Sequence, residues 1–104
     1  MQRTQVNPWP WSLNLGYAQG EVVSGEKRTL YTAGQTATDA AGAPQHAGDM
    51  AGQMTLALDN LEAVLAGADM TLANLVRLTI YTTDADRLFQ HYGLLVGRLG
   101  AARV

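Results

Sequence analysis

The stretch with the clearest capacity for chemistry is Ala33-Gly34-Gln35, at the end of a short run with strand character. A glycine at a strand end offers its backbone N–H and C=O groups to a neighbour, and a ligand can approach closer than a Cβ would permit. Such backbone groups are held in place by the chain, so binding through them costs no side-chain conformational freedom. Taken alone, the local sequence favours a simpler interpretation, in which Gly34 ends the strand or forms a bulge.

Other residues able to bind or catalyse are few and far apart. Tyr17 and Thr32 lie in predicted strands, where a tyrosine more commonly packs and a threonine hydroxyl can satisfy neighbouring backbone. His46 precedes the first predicted helix and His91 lies on the flank of the second, so we expect both to be solvated. With no cysteine and two distant histidines, the sequence predicts neither a metal site nor a cofactor.

Composition and charge define the class of protein. A chain of 104 residues, 47% of them hydrophobic, predicts a single domain with one modest core, and only 15% charged residues leave surface for self-association. The net charge of -2, with cations scattered along the chain and only Lys27 and Arg28 adjacent, argues against nucleic acid as a partner. Because there is no signal-peptide run and no segment near the ~20 apolar residues that span a bilayer, we predict a soluble cytoplasmic protein without membrane contact.

The first third of the chain predicts an arm followed by a hairpin. Residues 1–12 hold two prolines between aromatic residues, which is typical of an extended arm with its tryptophans on the domain edge. Residues 17–23 and 28–33 have strand character and are separated by a short polar turn, which predicts a β-hairpin. Residues 38–48 are rich in glycine and small residues and predict an irregular loop.

The middle of the chain predicts an amphipathic helix that begins after Asp49 and stops at Gly67. Its apolar residues recur at helical spacing on one face. They are Met50, Met54, Ala57, Leu58, Leu61, Val64 and Leu65. The short segment that follows, residues 70–75, predicts at most one helical turn.

The last third predicts one strand and one helix. Residues 76–82 alternate between apolar and polar side chains, the clearest strand pattern in the chain. Thr83 or Asp84 is expected to cap a second helix that ends at Gly100. Its apolar face consists of Leu88, Tyr92, Leu95, Val96 and Leu99. The predicted order is strand, strand, helix, strand, helix, which is an α+β architecture.

Four sequence blocks in this order resemble the Rid family, also called RidA or YjgF-like, the reactive intermediate deaminases. The blocks are GYAQG, LYTAGQ, ALDNLEAVL and VRLTIYTTD, and the resemblance covers about residues 11–99. It implies a chorismate-mutase-like α+β fold, with a mixed β-sheet and two helices packed on one face. It also implies a homotrimer with ligand pockets between subunits, and a single domain over residues 1–104 that is truncated before two further family strands.

The resemblance implies hydrolysis of reactive enamines and imines, such as 2-iminobutanoate, to a 2-keto acid and ammonia. A non-catalytic trimer that binds a small metabolite or keto acid is the alternative, and a structural interaction protein or a truncated fragment without function is a third possibility. Enzyme activity is left open at this point, and no catalytic residue is assigned. Ribonuclease and translation-inhibitor activities are also associated with the family, but the acidic charge balance argues against direct RNA binding.

The same resemblance assigns substrate-binding residues. Ala33, Gly34 and Gln35 take the place of the family's Ser-Gly-Gln turn, and Tyr17 takes that of a tyrosine in the pocket wall. Tyr92 falls near the family's pocket asparagine, although it also fits the apolar face of its helix.

Several departures from the family pattern are visible. Ala33 lacks the family's serine hydroxyl. The arginine that grips the substrate carboxylate, and a late glutamate, belong to strands absent from this chain. Arg98 and Arg103 are nearby in sequence, but we assign them to the helix end and the tail.

Overall fold

A computed structural model describes residues 2–101 and gives an α+β arrangement, which confirms the predicted fold class. Within these residues the elements are β1 (Gln2–Val6), β2 (Gly20–Ser24), α1 (Met50–Gly67), α2 (Ala85–Gln90) and α3 (Tyr92–Ala101). Two 3-10 helices, Pro10–Leu15 and Leu72–Asn74, lie in the connections.

The two strands form an antiparallel sheet in which Gln2 lies opposite Ser24 and Val6 opposite Gly20. The Arg3 guanidinium forms an ion pair with the carboxylate of Glu21. It also donates to the carbonyl oxygen of Leu75 at 2.7 Å. Arg3 therefore ties the sheet to the start of the segment that follows the second 3-10 helix.

The predicted hairpin is wrong, because β2 pairs with the N-terminal strand and not with residues 28–33. The extended arm is wrong in part, since residues 2–6 are a paired strand and Trp11 lies in a 3-10 helix. Strand-forming residues reveal a tendency to extend but not the identity of the partner. Here the ion pair between Arg3 and Glu21 stabilises the pairing of β1 with β2.

The strand predicted for residues 76–82 is not formed. Within residues 2–101, this segment is neither helix nor strand. Its apolar side chains are not buried, with Val76 50%, Leu78 38% and Ile80 44% exposed. An alternating pattern becomes a strand only when a second edge accepts its backbone hydrogen bonds. Within residues 2–101 no neighbour supplies that edge.

The predicted first helix is confirmed in its bounds and its buried face. The Asp49 carboxylate accepts a hydrogen bond from the backbone N–H of Gly52 at 3.0 Å, which caps α1 as expected. Two apolar clusters lie along the helix. One joins Leu58 to Leu95 and Leu99 of α3, and the other contains Leu61, Leu65 and Leu72.

The predicted second helix is interrupted at His91, so that it forms α2 and α3. Asp84 caps α2 by accepting from the backbone N–H of Arg87 at 3.0 Å. Arg98 of α3 reaches α1, where it contacts Asp59 at 2.6 Å and Glu62 at 2.8 Å. This confirms its assignment to the helix end, while Arg103 lies outside the described residues.

Candidate functional site

The unpaired segment 75–80 separates two cavities. The small cavity, of about 330 Å³, lies between this segment and residues 16–21. The large cavity, of about 820 Å³, lies between the same segment, residues 32–37 and helix α1. Five residues line both cavities: Leu75, Arg77, Leu78, Ile80 and Leu95.

The predicted binding residues are divided between the two cavities. Tyr17 and Tyr92 line the small cavity, whereas Ala33, Gly34 and Gln35 line the large one. Within one chain, the predicted residues therefore form two separate groups. Tyr17 and Tyr92 lie on one side of segment 75–80, and residues 33–35 lie on the other. The prediction of a single crevice shared between neighbouring copies stays a prediction, since one chain is described.

Tyr17 is positioned by the turn that ends the first 3-10 helix. Gly16 adopts a left-handed conformation, with φ 88°, and the backbone N–H of Tyr17 donates to the carbonyl oxygen of Ser12 at 3.2 Å. The Tyr17 ring stands edge-on to Trp11, with 6.1 Å between ring centroids, and is 42% exposed. This aromatic side chain is therefore available at the surface and not buried within its own chain.

Tyr92 has a structural contact as well as a place in the cavity wall. Its hydroxyl donates to the carbonyl oxygen of Leu15 at 3.2 Å, which connects α3 to the first 3-10 helix. Its ring packs against the cluster of Leu58, Leu95 and Leu99. Both interpretations from the sequence, core packing and cavity lining, thus apply to this residue.

The backbone around Gly34 is open to the large cavity. Among the described residues, positions 33–35 make no backbone–backbone hydrogen bond, and the one side-chain contact is Gln35 Nε2 to the Ala33 carbonyl at 3.4 Å. A Cβ at Gly34 would meet no protein atom within 4 Å. Packing among the described residues therefore does not require glycine at this position, and the space that a Cβ would occupy is open.

Asn60 of α1 holds the end of this strip in place. Its Nδ2 donates to the carbonyl oxygens of Thr36 at 2.9 Å and Thr38 at 3.0 Å. Sequence reasoning missed this residue because it lies away from the apolar face of its helix. The sequence did contain a signal for this residue: Asn60 is a polar residue off the apolar face of α1, within the block ALDNLEAVL.

Two charged residues line the small cavity, and one of them is paired with another charged side chain. The hydrogen bond from Arg3 holds the pKa of the Glu21 carboxyl below its usual range, so this carboxylate is ionised and already paired. Arg77 also lines the cavity but has no salt bridge or side-chain hydrogen bond within residues 2–101. Sequence reasoning treated Arg77 only as a polar residue of a strand, although it is the one cation in segment 75–80.

Metal-binding clusters are not found among the described residues: no three His, Cys, Asp or Glu side chains lie together. His46 is exposed, as expected, and its Nδ1 lies 3.8 Å from the Asp49 carboxylate. His91 is half-buried between α2 and α3. Thr32 lines the large cavity beside Ala33.

Within residues 2–101, no helix has the length and apolar character needed to cross a membrane.

Comparison with known families identifies the chain. A family model described as Endoribonuclease L-PSP, the RidA/YjgF family, matches residues 14–100. The chain belongs to the Rid family. The Rid match covers every cavity-lining residue except Gln5, including Tyr17, Gly34 and Tyr92, and confirms the resemblance carried by the four sequence blocks. No curated protein and no solved structure gave a significant match.

Proposed function

We propose that this Rid-family chain hydrolyses small carboxylate-bearing imines or enamines to a 2-keto acid and ammonia, in pockets between the subunits of a homotrimer. The observation that carries the proposal is the unpaired backbone of residues 33–35, which faces a cavity of about 820 Å³ in a chain matched to the family over residues 14–100. Such groups can orient a polar substrate without rearranging.

The reaction needs little side-chain chemistry because an imine carbon is already electrophilic. Water adds through its oxygen to the C=N carbon and the nitrogen takes up a proton, which gives a carbinolamine. The C–N bond then breaks, ammonia leaves, and the hydroxyl oxygen loses its proton to become the keto oxygen. Holding the substrate and one water at attack distance supplies much of the acceleration by positioning alone.

A non-catalytic trimer that binds a small metabolite or keto acid is the second candidate. One observation favours it: Glu21 is the only Asp, Glu or His among the described residues that line either cavity. Its pKa is lowered by the hydrogen bond from Arg3, so at neutral pH it cannot donate a proton to the departing nitrogen.

Endoribonuclease activity, which the family description names, is not proposed for this chain. The net charge is -2, and the seven Lys and Arg residues are scattered along the sequence. Binding to a phosphate backbone draws its affinity from clustered cations that release counterions. The absence of a nucleic-acid partner stays a prediction.

The test is ammonia release when the protein is added to a pyridoxal-phosphate dehydratase that generates 2-iminobutanoate. We expect the wild type to accelerate release, and Gly34→Ala to lower kcat/KM by about 10-fold, because the added methyl enters the space a substrate would use. Gly97→Ala is the matched control, since a Cβ at either glycine meets no protein atom within 4 Å and Gly97 lines neither cavity.

Three results would count against this proposal, each in a different way. Binding of 2-oxobutanoate without acceleration of ammonia release would refute the enzyme and support the metabolite-binding trimer. Equal rates for Gly34→Ala and wild type would refute the use of the 33–35 backbone. A monomer at every concentration in light scattering would refute the intersubunit pocket.

A further inference from the structure

The backbone of residues 33–35 lies between two points at which the chain is fixed to helix α1. On its N-terminal side, Leu30 packs against one of the two apolar clusters along the helix. On its C-terminal side, Asn60 Nδ2 donates to the carbonyl oxygens of Thr36 at 2.9 Å and Thr38 at 3.0 Å. The second point begins one residue after Gln35, so it bears directly on the position of this backbone.

The loop formed by residues 36–45 depends on Asn60 for its hydrogen bonds to the rest of the protein. The other hydrogen bonds of the loop join its own residues, such as the N–H of Gln45 to the carbonyl of Ala37 at 2.8 Å. Within residues 2–101, Asn60 is the only residue outside the loop that forms a hydrogen bond with it. One side chain therefore holds the loop, and the end of the 33–35 backbone, on α1.

Asn60 is suited to act on a substrate only through this backbone. It is half-buried and lines neither cavity, so it does not face the space that a substrate would occupy. A side-chain amide carries two N–H donors, and here both carbonyl oxygens accept from the same nitrogen. An aspartate of the same size has no donor when it is ionised.

We infer that Asn60 is a positioning residue, which fixes the 33–35 backbone at the place where it orients the substrate. Backbone groups accelerate a reaction only when they are held in the geometry that the transition state needs, and a misplacement of about 1 Å can lower a rate by about 100-fold. The inference rests on the proposed function for the reaction. The order of the backbone itself is measured without turnover.

The first experiment compares variants in the ammonia-release assay. We expect Asn60→Ala and Asn60→Asp to lower kcat by about 10- to 100-fold and to change KM by less than about 3-fold, because the substrate still enters but is poorly oriented. Asp59→Ala is the matched control at the next position of α1, since Asp59 contacts Arg98 and lines neither cavity. Wild-type kcat in the Asn60 variants, or an equal loss in Asp59→Ala, would overturn the inference.

A double variant separates positioning from a contribution to stability alone. Gly34→Ala is expected to lower kcat/KM by about 10-fold in wild type. In the Asn60→Ala background it should lower kcat/KM by less than about 3-fold, because the backbone on which it acts is already displaced. The full 10-fold loss in both backgrounds would mean that Asn60 does not act through residues 33–35.

Nuclear magnetic resonance relaxation tests the inference without the reaction. The backbone N–H order parameters of Gly34 and Gln35 should be near about 0.85 in wild type and in Asp59→Ala, and below about 0.6 in Asn60→Ala. Unchanged order in a folded Asn60→Ala protein would refute the role of Asn60. A fall in order together with a wild type that releases no extra ammonia would refute the proposed function and support the anchoring by Asn60.

A milder variant keeps the test open if Asn60→Ala does not fold. Asn60→Ser retains one hydroxyl donor on a shorter side chain, so its kcat and its order parameters at Gly34 and Gln35 should lie between those of wild type and Asn60→Asp. Wild-type values of both quantities in Asn60→Ser and Asn60→Asp would contradict the inference.

Discussion

Replacing Arg98 by glutamine tests how the two long helices are held together. Arg98 contacts Asp59 and Glu62 and donates to the Thr55 carbonyl at 3.1 Å, so one side chain bridges α3 to three positions of α1. Burial disfavours its charge, but hydrogen bonds to Glu62 and Asp59 outweigh that effect and raise the Arg98 pKa.

The structure gives the size of the expected effect. Side chains of Asp59 and Glu62 are about half exposed, at 54% and 47%, so water screens both pairs. Exposed pairs contribute about 0.2–1 kcal/mol each, and a typical hydrogen bond about 0.5–1.5 kcal/mol. We therefore expect Arg98→Gln to lower the free energy of unfolding by about 1–2 kcal/mol, with a fall in Tm of about 4–8 °C per kcal/mol.

Urea unfolding followed by far-UV circular dichroism measures this change. The matched control is Arg87→Gln, which breaks a 3.9 Å pair between two side chains that are each 52% exposed and should change stability by less than about 0.5 kcal/mol. Asp59→Asn should be destabilising in wild type but nearly neutral in Arg98→Gln, because its partner is gone. A loss no greater than that of the control, or equal effects of Asp59→Asn in both backgrounds, would refute the bridge.

Two further predictions concern the core and the sheet. Leu65→Ala should lower the free energy of unfolding by about 2–5 kcal/mol, because Leu65 is buried, with 3% of its surface exposed. Leu94→Ala is the control and should lower it much less, because Leu94 is 44% exposed. Equal losses in urea unfolding would contradict the assigned core. The folded-state pKa of Glu21 is lowered by Arg3, so the stabilisation from this pair is present above the unfolded-state value and is lost as pH falls through the folded-state value. The stability difference between wild type and Glu21→Gln should thus be constant near neutral pH and shrink in acid, and a difference independent of pH would contradict the pairing.

Sequence patterns predicted the helices well because helix signals are local. Asp49 and Asp84 cap helices through their own side chains, and Leu58, Leu61 and Leu65 share a face by their spacing alone. The strands could not be predicted in the same way. The residues that pair with β2 lie 14 to 22 positions earlier in the chain, and nothing near residues 20–24 in sequence identifies them.

The candidate site was predicted in part. Tyr17, Gly34 and Tyr92 each line a cavity, but no sequence pattern indicated that segment 75–80 would separate them. Asn60 was missed because it stands out neither by type nor by spacing. What distinguishes it is that its side chain donates to the carbonyl oxygens of Thr36 and Thr38, and these contacts exist only once the chain is folded.

The amino-acid sequence by itself therefore determined the family, the α+β class, the N-terminal helix caps and the apolar helix faces, since each depends on residues close together in the chain or on blocks in a fixed order. Only the tertiary structure decided which strand pairs with Gly20–Ser24 and that two cavities flank residues 75–80. It alone also decided that Arg77 faces a cavity without a counter-ion among residues 2–101. Pairing and burial are set by contacts between distant residues, and these depend on how the whole chain packs.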